Sequence, residues 1–189
     1  MPRLLFVPLF ILFTVSLAQG HFAFIVPEGK GETAKVIFSD DLSPDTNVNI
    51  EKIANTKLTL RDSAGKESAL EWKKGEGFYA VNVPGAGNRT VYGITDYGVL
   101  QKGEGKPFKL TYCPKAIIGT ATAKEATVGE KLEVEIVVSG TAGKTRFQVL
   151  AAGKPAVELE VTVILADGAK KPVKTDKEGF TPVFEGSGR

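Results

Sequence analysis

Residues 132–138 read Leu-Glu-Val-Glu-Ile-Val-Val, and residues 157–165 read Val-Glu-Leu-Glu-Val-Thr-Val-Ile-Leu. Alternation with a period of two is the signature of a half-buried β-strand. In the first run Leu132, Val134, Ile136 and Val138 share one face, with Glu133 and Glu135 opposite. In the second, Val157, Leu159, Val161, Val163 and Leu165 oppose Glu158, Glu160 and Thr162. Working outward, further strands are expected at Phe22–Val26, Ala34–Phe38, Leu58–Arg61, Ala69–Trp72, Phe78–Val83, Val91–Thr95 and Phe108–Tyr112. Turn formers punctuate them at Asp62–Gly65, Pro84–Asn88, Lys102–Gly105 and Ala166–Gly168,. Only Val48–Thr56 offers a helical turn. The aromatics Trp72, Tyr79, Tyr92 and Tyr97 sit among apolar neighbours and read as core. Short strands with regular turn signals predict an all-β fold of two small β-sandwich domains.

The 189 residues carry 24 Lys+Arg against 22 Asp+Glu, one Cys and one His. A single cysteine excludes an internal disulfide scaffold. Near-neutral charge gives no electrostatic case for nucleic acid. Met1-Pro2-Arg3 is followed by the apolar run Leu4–Ala18, and Ala18 and Gly20 stand at the −3 and −1 positions of a signal-peptidase site,. Fifteen helical residues would span about 22 Å, short of a bilayer core. The expected organisation is a cleaved signal peptide over 1–20, an amino-terminal sandwich over 21–116 and a carboxy-terminal one over 117–189. No stable membrane span follows cleavage, and the product is periplasmic or extracellular. The Phe180 strand stops at Gly186–Arg189 with no further strand to cover its edge, so the second domain is expected to be an incomplete, truncated sandwich,.

Several stretches carry a resemblance. His21–Pro27, Val36–Asp40, Lys57–Asp62, Asp96–Val99 and Lys106–Ala116 resemble the secreted domain-of-unknown-function 4198 family. That family is grouped with periplasmic components of nickel and cobalt uptake, and its members often begin the mature chain with His. The resemblance implies an exported β protein that binds a transition metal, with a metal transporter or another envelope protein as partner. Val161–Gly168 and Thr175–Phe180 are similar to the carboxypeptidase-regulatory-like, or prealbumin-like, sandwich, usually a structural add-on.

Cleavage after Gly20 would make His21 the amino terminus, and its α-amine and imidazole can close a chelate ring on one ion,. Nitrogen donors favour Cu(II), Ni(II) and Zn(II); with the family likeness, Cu, Ni or Co is the expected ion. Cys113 is the second candidate ligand, because a thiolate suits Cu(I) or Zn(II). Asp40, Asp41 and Asp96 are loop carboxylates of the kind that form turns,. Catalysis is not expected. With one His there is no second imidazole for a histidine brace and no well-mounted base for a serine or cysteine nucleophile. Gly29-Lys30-Gly31 and the 102–106 turn lack the remaining positions of a phosphate loop,. The competing reading is a non-catalytic structural or interaction module of the cell envelope.

Overall fold

Alternating sequence becomes paired strands almost throughout the computed structural model, which describes residues 20–141 and 143–185. The expected signal peptide and residues 186–189 lie outside them, apart from Gly20. In chain order the strands are β1 (Phe22–Glu28), β2 (Thr33–Ser39), β3 (Lys57–Arg61), β4 (Glu67–Ala69), β5 (Trp72–Lys74), β6 (Phe78–Asn82), β7 (Arg89–Leu100), β8 (Phe108–Tyr112) and β9 (Lys115–Ile118). They continue with β10 (Val134–Thr141), β11 (Lys144–Ala151), β12 (Lys154–Pro155), β13 (Glu160–Ile164), β14 (Lys170–Lys174) and β15 (Phe184–Glu185). The fold is all-β. Its only helical pieces among the described residues are two short 3₁₀ turns, Ile50–Ile53 and Lys124–Ala126. The first falls within the 48–56 stretch, capped by Asn49, whose side chain accepts from the Glu51 amide,. No helix among the described residues is long and apolar enough to cross a membrane.

The first nine strands form two antiparallel sheets. One runs β1-β2-β6-β5; the other runs β4-β3-β7-β8, with β9 beside the first half of β7. β7 joins the second sheet along its whole length. Residues Thr90–Ile94 pair with β3, Arg89–Tyr92 with β9, and Thr95–Leu100 with β8. Its register slips between Asp96 and Gly98, and Gly98 takes φ +113°, which a side chain would resist,. Between the sheets lie Ala34, Val36, Phe38, Ile53, Leu58, Leu60, Tyr79, Val81 and Val91, with Trp72, Tyr97 and Tyr112 packed against them. Of the four expected core aromatics, Trp72, Tyr79 and Tyr97 join this core, while Tyr92 is buried in a separate cluster with Val128 and Leu132. Trp72 stacks on Tyr79 at 4.7 Å between centroids. β9 pairs with β7, so the second sheet includes residues up to Ile118.

The second half is arranged differently from the sequence pattern. β10 and β11 form a hairpin to which β12 and β15 add, while β13 and β14 form a separate two-stranded ribbon. From Val134 onward only Val149 and Val163 are buried hydrophobics among the described residues. The predicted apolar face of β10 is reversed: Val134 and Ile136 are 43 % and 44 % exposed, while Glu135 is 3 % exposed. The reason is a polar joint. Glu135 accepts from Lys115 Nζ at 2.6 Å and from the amides of Val128 and Gly129 at 2.7 Å each. Lys115 also donates to the Ala126 carbonyl at 2.9 Å. A carboxylate that accepts from one ammonium and two backbone amides can be buried where an unpaired one could not. Burial holds the Lys115 ammonium below the usual lysine range, against the opposing pull of Glu135,. The run 157–165 likewise shortens to β13, leaving Val157 and Leu159 exposed. The Thr175–Phe180 stretch does make a tight turn. Asp176 accepts from the Glu178 and Phe180 amides at 2.9 Å, and Gly179 takes φ +78°.

Candidate functional site

His21 immediately precedes β1, whose first residue pairs with Ser39 at the end of β2. That register sets the imidazole beside Phe38, with ring centroids 5.7 Å apart. Phe38 faces the core at the end of the sandwich where β7 and β8 deliver Tyr97 and Tyr112. Its ring lies 5.7 Å from each, and the two tyrosines meet edge-on at 5.5 Å and 85°. Edge-to-face contact of this kind adds to the burial of the rings. Tyr112 also donates its phenol O–H to the His21 carbonyl at 3.1 Å, so the backbone just ahead of β1 is anchored. Burial, and then Tyr97, raise the Tyr112 phenol above the usual tyrosine range, and it stays a donor at neutral pH,.

The imidazole itself remains reachable, its side chain 39 % exposed. Its Nε2 faces Asp45 Oδ2 at 4.0 Å, ion-pair range rather than hydrogen-bond range,. Asp45 is held by its other oxygen, which accepts from the Asn47 amide at 2.8 Å. One carboxylate oxygen therefore closes a local turn and the other confronts the ring.

The remaining sequence candidates make other contacts. Cys113 follows Tyr112 but packs with Tyr92, Val128 and Leu132, a cluster separate from the sandwich core that receives Tyr112. The chain does not bring it together with His21 in one group of ligands. Asp41 accepts from the Ser43 amide at 2.7 Å as a turn former, and Asp96 pairs with Lys109 at 3.1 Å. Asp40 offers its backbone carbonyl to Lys170 Nζ at 2.7 Å. Among the described residues no group of three or more His, Cys, Asp and Glu side chains could hold a metal ion. The side chains at this end supply at most two donors, and further ones must come from the backbone or solvent. Sequence reading missed Asp45 and Tyr112 as partners of His21. Nothing local marks them, since Asp45-Thr46-Asn47 reads as one more polar turn and Tyr112 lies 91 positions away.

No family model matches the chain, and no curated protein matches it. Among solved structures, a pullulanase from Anoxybacillus sp. LM18-11 complexed with maltotriose aligns at 17 % identity and a TM-score of 0.20. That alignment covers 86 % of this chain, which spans 21 % of the pullulanase. A likeness of that size carries no argument about fold or activity.

Proposed function

We propose that the exported chain starts at His21 and captures a transition-metal ion, Cu(II) ahead of Ni(II) or Co(II), through its α-amine and the imidazole Nδ1. The observation that supports this reading is the setting of His21. The ring is half exposed, its carbonyl is anchored by Tyr112, and its Nε2 faces Asp45. A carboxylate 4.0 Å from Nε2 favours, through its charge, the tautomer with the proton there, which leaves the Nδ1 lone pair for the chelate,. Asp45 is thus a positioning residue. In the precursor the same nitrogen is an amide, so the site is created by signal cleavage. Capture and handover to a transporter or another envelope protein fit this donor set better than catalysis.

The deciding measurement is calorimetric titration of Cu(II), Ni(II) and Co(II) into residues 21–189 beginning with His21. The control carries one extra Gly ahead of His21. The expected result is one-to-one binding, weakened at least tenfold by the extra residue, or about 1.4 kcal/mol. Asp45→Asn should weaken it in the same direction. Equal affinity with and without the extra Gly would overturn the reading. A structural envelope module would then stand, favoured by the buried Lys115–Glu135 joint between the two parts of the chain.

A further inference from the structure

β10 is an edge strand. It pairs with β11 on one side, and no strand among the described residues pairs with it on the other. The Ala152 amide donates to the Glu133 carbonyl at 2.8 Å, and hydrogen-bonded positions alternate along an antiparallel pair,. Glu135 and Val137 therefore bond to β11, while the amides and carbonyls of Val134, Ile136 and Val138 point away from it. The side chains of those three residues share one face of the hairpin with Ala151, Val149 and Phe147 opposite them, and that face of β10 and β11 carries no charge. Val134 and Ile136 are exposed on it.

Free strand edges are normally blunted by lysine, proline or an inward charge, because an open ladder invites another strand. Most edges of this chain follow that rule, with Pro27 in β1, Lys73 in β5, Lys109 in β8, Pro155 in β12 and Pro172 in β14. β10 is eight residues long and has neither lysine nor proline. Its one charge, Glu135, is consumed in the joint with Lys115 and the 128–129 amides. β13 also lacks both residue types, but it has five residues and exposes no large apolar side chain. Length, an open ladder and exposed apolar side chains without a block thus coincide at β10.

We propose that β10 pairs antiparallel with β10 of a second copy of this chain, across a two-fold axis at Ile136. Val134 then opposes the partner's Val138, and Ile136 opposes the partner's Ile136. These are the positions whose backbone groups point outward, so each pair exchanges both ladder bonds,. Glu135 opposes the partner's Val137 and Glu133 the partner's Ser139, so no like charges meet across the join,. The strand is complementary to itself in this register, which favours a second copy over an unrelated strand. A two-fold contact of this kind closes at a dimer, and the uncharged faces of the two hairpins become one continuous surface.

The test is sedimentation velocity on residues 21–189, joined to amide exchange of the ¹⁵N-labelled protein by NMR. EDTA is present throughout, so that no metal bridges two His21 ends. Between about 10 µM and 1 mM the sedimentation coefficient should rise from monomer to dimer, and exchange at Val134, Ile136 and Val138 should slow at least about threefold. Glu135 and Val137, already bonded to β11, should keep their rates. Ile136→Lys sets two ammonium groups against each other at the axis and should abolish the dimer, leaving urea unfolding of the first sandwich unchanged. A monomer throughout overturns the pairing and leaves the edge to a strand of another protein. A dimer whose concentration-dependent protection lies elsewhere, or one that Ile136→Lys leaves intact, overturns it as well. If that variant does not fold, the wild-type exchange pattern decides alone.

Discussion

Glu135 is the residue whose replacement tests the architecture most directly. In Glu135→Leu the buried Lys115 ammonium, its side chain 8 % exposed, keeps only the Ala126 carbonyl, and the Val128 and Gly129 amides lose their acceptor. Removing one partner of a buried ion pair costs about 3–5 kcal/mol, chiefly because the other charge is stranded. Lys115→Met should cost less, since Glu135 would keep its two amide donors. The double replacement Lys115→Met with Glu135→Leu removes the stranded charge altogether. It should therefore be less damaging than Glu135→Leu alone, with a coupling of about 1–3 kcal/mol between the two sites. The loss falls on the segment 126–129, next to the exposed Lys124, so trypsin cleavage after Lys124 is the local readout. A cost of 3 kcal/mol raises the open population more than about a hundredfold, and cleavage follows that population when closing is fast. Urea unfolding followed by Trp72 fluorescence reports the first sandwich separately. If the double replacement costs as much as the two single costs added together, the joint is not held by the pair.

Gly31→Ala should destabilise by about 2–4 kcal/mol, combining a left-handed backbone penalty with overpacking. Gly31 has φ +85°, and a Cβ there would lie 2.5 Å from Ile118 Cγ2; a loss under about 1 kcal/mol in urea unfolding would show that the β1–β2 turn yields freely. For Asp176, the Phe180 amide and then the Glu178 amide hold the carboxyl below its usual 3.8. The unfolded chain therefore binds the proton first as pH falls. The stability from this turn is present above about 3.8 and is lost as pH drops through the lower folded value. Amide shifts of Glu178 and Phe180 followed from about pH 5 to pH 2 should move below 3.8, and a midpoint at or above it would refute the capping role,.

The all-β fold was legible because alternation, turn residues and aromatic placement agree along the first sandwich. Ala34, Val36 and Phe38 do fall on a buried face, and the single helical stretch yields the Ile50–Ile53 turn. What alternation cannot specify is which face of a strand meets protein. Period two separates Val134 and Ile136 from Glu135 and stops there,. The buried face is chosen by long-range partners, and Lys115 with the 128–129 amides lies far enough upstream that no local pattern announces the pairing. The candidate site divides in the same way. His21 stood out because it is the sole histidine and follows Ala18-Gln19-Gly20, a pattern read as a cleavage site; both signals are local. Asp45, Tyr112 and Phe38 reach it only through the β1–β2 register and the sheet that delivers β8. Composition can therefore nominate the one residue with unusual chemistry, but strand register assembles its surroundings, and it placed Cys113 with Tyr92, Val128 and Leu132 instead. Rarity and register are independent sources of information, so a site built from one rare residue and several common ones is half visible before folding is known.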